Sequence, residues 1–253
     1  MPPGDHGQPE RQRPLVSVCM ATYNGERFLA EQLSSILSQV SDIDEIVIVD
    51  DASCDRTISI VNGFRDQRVR LFHQERNQGV VKTFESALRE AVGEIIFLAD
   101  QDDVWRADKV SNVMALFSTH PDVSLVVSDY ATIDAGGNTV RESRFKSERF
   151  YPGVLRTLLR NQYRGCAMAF RRSILSYCLP FPTDIPMHDM WIGIISQFAG
   201  EVALINEPLV NYRRHDRNES PATHAPLLQM LRWRWALVKN LALFLARTRL
   251  QKS

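Results

Sequence analysis

Residues 97–105 read Phe-Leu-Ala-Asp-Gln-Asp-Asp-Val-Trp, so Asp100, Asp102 and Asp103 fall within four positions directly after an apolar run. Carboxylates this close repel one another, and each is better solvated in water than in a core. An Asp-x-Asp on a turn can hold a hard divalent cation through oxygens and leave coordination positions open for phosphate. Such a cation can neutralise a departing diphosphate. The same pattern also describes a plain solvated turn or a cap for the next helix. A second acidic pair, Asp50-Asp51, ends the run Glu-Ile-Val-Ile-Val. It reads either as a turn with Ser53 or Asp55 capping a helix, or as a carboxylate that accepts hydrogen bonds from a base N–H or ribose hydroxyls. His188-Asp189 opens an apolar stretch, where Asp189 is either an N-cap or a general base. His215, in Tyr-Arg-Arg-His-Asp-Arg-Asn, is either an exposed loop residue or an imidazole ligand or diphosphate donor.

The elements that must position these residues alternate. Apolar runs at 16–21, 45–50, 69–73 and 94–99 read as strands, and 26–38, 55–64 and 80–91 have helical spacing. Strands alternating with helices imply right-handed crossovers and a parallel sheet. Ligands on such sheets sit beyond the carboxyl ends of the strands. That rule gathers Ala21-Thr22-Tyr23-Asn24-Gly25, Asp50 to Ser53, Asn77-Gln78-Gly79 and Asp100 to Asp103 along one edge. Five carboxylates converging there are costly unless a cation answers them. Further on, 123–134 contains a strand followed by a hairpin turn, 141–152 reads as a mobile loop, and 165–170 as a strand with a short helix after it. A helix is expected over 187–200, two short strands over 201–212, and a long Leu/Trp/Arg helix over 225–247.

Thirty Lys and Arg balance thirty Asp and Glu, so no net charge points to nucleic acid. Residues 220–253 contain no Asp or Glu but six basic side chains, which makes the tail basic. The four cysteines form no C-x-x-C pair and no zinc spacing, which fits a reducing cytoplasm. Residues 1–13 are polar and Pro-rich and read as disordered, without the apolar stretch of a signal peptide. Nothing approaches 18 consecutive apolar residues, so no membrane span is expected.

VSVCMATYNGERFLAEQLSSILSQ, EIVIVDDASCDRT, NQGVVKTFESALREAVGEIIFLADQDDVW and HDMWIGIISQFAG followed by INEPLVNYRRH come in this order. Together they resemble the family 2 glycosyltransferases of the GT-A fold, over about residues 14–219. The likeness is greatest to the branch that assembles bacterial O-antigen and capsular polysaccharides, often rhamnosyltransferases. The resemblance implies an α/β, Rossmann-like, mostly parallel sheet flanked by helices. It implies that Thr22, Tyr23, Asn24 and Asp51 line the nucleotide pocket, with Asp51 on the base and Asp100 near the ribose. Asp102 would hold Mg²⁺ or Mn²⁺, and His215 would lie near the metal or diphosphate. Asp189 matches the acid of the family's Glu-Asp motif, the catalytic base, while His188 replaces the Glu. The donor implied is a nucleotide-diphosphate sugar, with dTDP-L-rhamnose as one candidate. The acceptor implied is a growing glycan on a polyprenyl diphosphate.

Two other functions compete. A sugar-phosphate nucleotidyltransferase shares a similar sheet but needs a Gly-rich loop after the first strand, where this chain has ATYNGERF with one Gly. An inactive sugar-nucleotide-binding module would lack the base or the metal acid, and both types are present. The basic helix of 220–253 packs on the catalytic domain, pairs with a second copy, or lies on the inner face of the cytoplasmic membrane. Its Gln229-Met-Leu-Arg-Trp233 matches the Q-x-x-R-W of processive synthases, a short match read here as coincidence.

Overall fold

The structure, a computed structural model, describes residues 15–216, 218 and 226–250. The tail of 1–13 lies outside the described residues. Four apolar runs form parallel strands: β1 (Val16–Thr22), β2 (Glu45–Asp50), β3 (Val69–His73) and β4 (Ile95–Asp100). They lie in the order β3-β2-β1-β4. Thr22 is in register with Asp50 and Ala21 with Asp100, so the polar tips meet at one edge. The crossovers are α1 (Leu29–Leu37), α2 (Thr57–Gly63) and α3 (Val80–Glu90). Strand side chains alternate between faces. Val16, Val18 and Met20 join one core with Leu29, Leu33 and Ile36 of α1; Cys19 joins the other with Phe84, Ala87 and Leu88 of α3. Because β1 is covered on both faces, it reads as a continuous apolar run.

The chain continues through β5 (Val104–Trp105), α4 (Lys109–Thr119), β6 (Val123–Ile133), β7 (Thr139–Arg141), α5 (Arg144–Ser147) and α6 (Val154–Leu159). Then come β8 (Met168–Arg171), α7 (Leu175–Cys178), α8 (His188–Ala199), β9 (Glu201–Arg213) and α9 (Leu227–Leu250). The sheet extends from β4 through β8, β6 and β9 to β5. β8 is antiparallel to both β4 and β6, and β9 is parallel to β6. β5 is antiparallel to β9, with Val104 opposite Asn211. That short pairing carries the Asp-x-Asp turn onto the end of β9.

The expected hairpin after β6 is present, with Asp134 and Asn138 closing its turn. Three expectations are corrected. The two short strands of 201–212 are one strand, whose register against β6 jumps so that Ile205 faces Ser128 and Pro208 faces Asp129. A bulge absorbs the polar Asn206-Glu207, which in the sequence looked like a break. The strand expected at 165–170 begins only at Met168, because Gly165–Ala167 is a 3₁₀ turn. The loop of 141–152 contains α5, whose N-cap Ser143 accepts from the Lys146 N–H, and Phe150 is buried. The long C-terminal helix is present as α9. Among the described residues no helix is long and apolar enough to cross a membrane.

Candidate functional site

A cavity of about 800 Å³ opens at the carboxyl edge of β1 to β4, lined by Thr22, Tyr23, Asn24, Asp51, Asp100, Asp102, Asp189 and His215. These eight residues come from five segments of chain. Its volume lies within the span that holds drug-sized ligands.

The tips of β1, β2 and β4 are laced together by their own polar groups. Gln101 accepts from the Tyr23 N–H (2.9 Å) and donates to the Tyr23 carbonyl (2.9 Å). The Asn24 side-chain oxygen accepts from the Cys54 N–H (2.9 Å). The Thr22 hydroxyl donates to Asp50 (3.0 Å), which also accepts from Ser53. Asn24 and Ala52 carry φ of 47° and 62°. Asn tolerates that region through local hydrogen bonding, while an Ala there is strained by about 1–2 kcal/mol. The strain sits directly beside Asp51.

Asp51 is buried, and both of its oxygens accept backbone N–H groups, from Gln78 (2.7 Å) and Gly79 (2.9 Å). Gly79 has φ of 85°, which glycine adopts without a Cβ penalty. Asp51 therefore fixes the loop that opens α3 as well as lining the cavity.

The five acids do not all converge. Asp50 points into the fold. Asp103 is fully buried and accepts from the Arg213 N–H (2.9 Å). Burial, and then the neighbouring Asp102 and Asp100, hold the Asp103 carboxyl well above its usual range. Only Asp51, Asp100 and Asp102 line the cavity. Burial first, then the charge of Asp102, push Asp100 up to about 7, while Arg164 opposes the rise.

Asp102 and His215 meet: Nε2 lies 2.8 Å from Oδ2, and Asn218 donates to the same oxygen at 3.0 Å. The His215 ring lies against the Phe28 ring, centroids 5.0 Å apart, and the Arg213 guanidinium lies 4.7 Å from the Phe28 ring. A carboxylate oxygen and an imidazole nitrogen suit a divalent cation of the Mg²⁺ or Mn²⁺ kind, with Mn²⁺ the more tolerant of nitrogen. A second group of ligating types, Asp100, Asp103 and Cys166, has its atoms within 4.8 Å of one another. Its Cys166 thiol is buried and held well above its ordinary value, and neither Asp103 nor Cys166 lines the cavity. Burial disfavours the ionised forms a hard cation needs at both groups, and a sulfur is a poor ligand for such a cation, so the Asp102–His215 pair is the better candidate.

Asp189 lies in the first turn of α8, whose N-cap is Met187, so it is not the cap. Its Oδ1 accepts from Asn161 Nδ2 at 3.2 Å. Its charge acts on Asp100 and on Arg164, and it lines the same cavity as the Asp-x-Asp turn. His188 is buried, stacked on Phe84 with centroids 4.0 Å apart, and neither ring nitrogen has a hydrogen-bond partner. Burial lowers its pKa to about 4, so the ring is neutral at pH 7.

Asn161 and Arg164 were not singled out in the sequence. Both lie between α6 and the 3₁₀ turn, in a stretch with no periodicity. Arg164 lines the cavity, and its guanidinium lies 4.9 Å from the Tyr212 ring. The only available signal was two polar residues close before a buried Gly-Cys-Ala. The Gln229–Trp233 motif sits on α9 and contributes nothing to the cavity lining.

Known proteins share this fold. The structure resembles S. aureus TarS 1-349 in complex with UDP-GlcNAc, with a TM-score of 0.66 at 21% identity over 83% of this chain and 61% of that one. It also resembles the mannosyltransferase PcManGT from Pyrobaculum calidifontis in complex with GDP-Man and Mn²⁺, at 0.60 and 24% over 94% and 75%. The fold is thus that of the GT-A glycosyltransferases. An uncharacterised glycosyltransferase of Nostoc sp. is 28% identical over 80% of this chain and 66% of its own length. A UDP-Glc:alpha-D-GlcNAc-diphosphoundecaprenol beta-1,3-glucosyltransferase of Escherichia coli is 32% identical over 72% and 70%. A Haemophilus influenzae glycosyltransferase is matched over only 52% of its length, so the chain spans between about half and two-thirds of several relatives. The family model for glycosyl transferase family 2 matches residues 17–178, and the chain belongs to that family.

Proposed function

We propose that this protein is an inverting, metal-dependent glycosyltransferase. It would move a sugar from a nucleoside diphosphate to a hydroxyl of a growing, polyprenyl-diphosphate-linked bacterial surface glycan. The observation that carries this reading is that Asp189 and the Asp102–His215 pair line one cavity of about 800 Å³. Family membership sets aside the nucleotidyltransferase alternative, and the presence of both acids argues against an inactive binding module.

In this reading Tyr23, Asn24 and Asp51 hold the nucleotide end and Asp100 lies by the ribose. Asp102 and His215 hold the cation, which when bound neutralises charge on the leaving diphosphate. Asp189 takes the proton of the acceptor hydroxyl. That oxygen attacks the anomeric carbon from the face opposite the diphosphate, so the configuration inverts without a protein nucleophile. Asn161 orients the Asp189 carboxylate. Arg164 sets a fixed positive charge between Asp100 and Asp189, in a region otherwise crowded with carboxylates.

Two donor classes deserve testing. dTDP-L-rhamnose follows from the sequence resemblance. UDP-hexoses follow from the Escherichia coli relative, which is named for UDP-Glc, and from TarS, which was solved with UDP-GlcNAc. The acceptor follows from the same relative, named for a diphosphoundecaprenol. The experiment is release of nucleoside diphosphate from a panel of activated sugars, with Mn²⁺, with Mg²⁺ and with chelator. Metal-stimulated turnover of one donor, enhanced by a lipid-linked glycan, supports the reading. Equal turnover in chelator would remove the metal from it.

A further inference from the structure

α9 is apolar on two sides. Leu237 and Leu241 are buried in the core that also holds the α8 residues Trp191 and Ile195. On the outer side, Leu228, Leu231, Trp235, Val238 and Leu245 recur at helical spacing and are exposed, Leu228 at 64% and Trp235 at 70%. α6 packs beside α9, where Arg234 donates to the Leu159 carbonyl (2.8 Å). It adds Leu155 and Leu159, exposed at 78% and 68%. Scattered exposed leucines need no explanation, but a row shared by two adjoining helices marks an interaction surface.

The polar border of this row is basic. Leu159 also lines a second, open hollow of about 370 Å³ together with Arg144, Arg149, Arg156 and Arg160. One acid answers them: Glu148 pairs with Arg144 (2.8 Å) and Arg160 (2.6 Å). Arg156 lies over the Tyr151 ring at 4.7 Å. Four guanidinium groups against one carboxylate leave the hollow strongly positive. α9 adds Arg232 and Arg247, and 220–253 contains no acid. Lys239 is already paired with Asp184.

We propose that this face, the outer row of α9 with the α6 leucines and the arginine hollow, is where the protein rests on an anionic phospholipid bilayer. Apolar side chains rimmed by Arg are the chemistry of an interfacial helix, the leucines entering the acyl region and the guanidinium groups meeting phosphates. A second copy of this chain fits less well, because a self-paired face would set Arg232 and Arg247 against their own kind with no acid on α9. The location is also apt. Leu159 is two residues from Asn161, whose amide reaches Asp189, so the proposed lipid surface joins the loop that contacts the candidate base, to which a lipid-linked acceptor would have to come. That last point rests on the glycosyltransferase reading; the bilayer contact does not.

The test is co-sedimentation of the whole protein with vesicles of phosphatidylglycerol and phosphatidylcholine, against vesicles of phosphatidylcholine alone. Preferential partition into the anionic vesicles is expected. The double variant L231S/W235S should lose most of it. R149A/R156A should weaken it about thirtyfold, near fivefold for each charge near an anionic surface. All variants should keep the parent's thermal melt and nucleotide binding. Three results would overturn the proposal: no preference for anionic vesicles, variants that partition like the parent, or binding abolished by millimolar glycerol phosphate. A wild-type dimer that L231S/W235S converts to monomer, without vesicle binding, would assign the face to a second copy instead. Because the readout needs no sugar transfer, an inactive protein that still binds vesicles would refute the transferase reading and leave this one.

Discussion

Asn161 Nδ2 lies 3.2 Å from Asp189 Oδ1 and ties the loop after α6 to the first turn of α8. The amide nitrogen donates to that oxygen, which also accepts from the Met190 N–H (2.6 Å), and the two donors together hold the carboxylate in place. Replacing Asp189 by Asn should lower turnover by roughly 10²–10⁴ while nucleotide still binds. Asn161→Ala should lower kcat with little change in donor KM, as a group that positions the base rather than the donor would. Near-normal turnover of Asp189→Asn would remove the base assignment.

Asp102 shares one carboxylate oxygen between His215 and Asn218. Substitution of a ligand or of its hydrogen-bonded support commonly weakens metal affinity by roughly 10- to 100-fold. His215→Ala should therefore raise the Mn²⁺ concentration for half-maximal activity by about that factor, with full activity recovered at high Mn²⁺. Asp102→Asn should not be rescued. Titration calorimetry with Mn²⁺ and a nucleoside diphosphate checks both.

Asp51 secures the Gln78 and Gly79 N–H groups at the head of α3. Hydrogen bonds to a charged group contribute about 1.5–3 kcal/mol each at most, and the freed N–H groups remain near water here. Asp51→Ala should weaken nucleotide binding at least tenfold and raise hydrogen exchange at residues 78 and 79. Unchanged affinity with a looser loop would confine Asp51 to a structural role.

His188 gives the fold an acid limit. Its pKa falls from 6.5 in the open chain to about 4 in the folded one, because burial disfavours the charged ring. Between those values the unfolded state binds more protons, so stability rises with pH across that window. It is complete above pH 6.5 and lost as pH falls toward 4, by about 3 kcal/mol in all. His188→Phe keeps the stack on Phe84 and removes the proton. Urea melts at pH 4.5 and pH 7 should differ less for this variant than for the parent, and equal differences would place the acid sensitivity elsewhere.

The parallel half of the fold is legible because β1 to β4 are buried on both faces and stop at polar tips. Apolar runs that end in Asn, Asp or Gln state both the strand and its functional edge. β9 was read as two pieces because Asn206-Glu207-Pro208 looks like a loop, and only the register with β6 reveals a bulge. Asp103 looked equivalent to Asp102, yet Val104 and Trp105 pair with β9 and turn it inward, something no local pattern encodes. Asn161 and Arg164 were invisible for the same reason: their positions depend on α6 and α8 packing, not on neighbours in the chain.

Arg213 donates from Nε to the Asp102 carbonyl (2.8 Å), from Nη2 to Glu31 (2.6 Å) and from its backbone to Asp103 (2.9 Å). The family model's match stops at residue 178, so Arg213 and His215 lie beyond it while their partners Glu31, Asp102 and Asp103 lie within it. Chimeras that exchange donor preference between relatives should therefore be spliced after residue 218 rather than at the family boundary. A junction at 178 would give the Asp-x-Asp turn of one parent to the clasp of another, and the hybrid would be expected to fold its Rossmann half while failing to grip its ion.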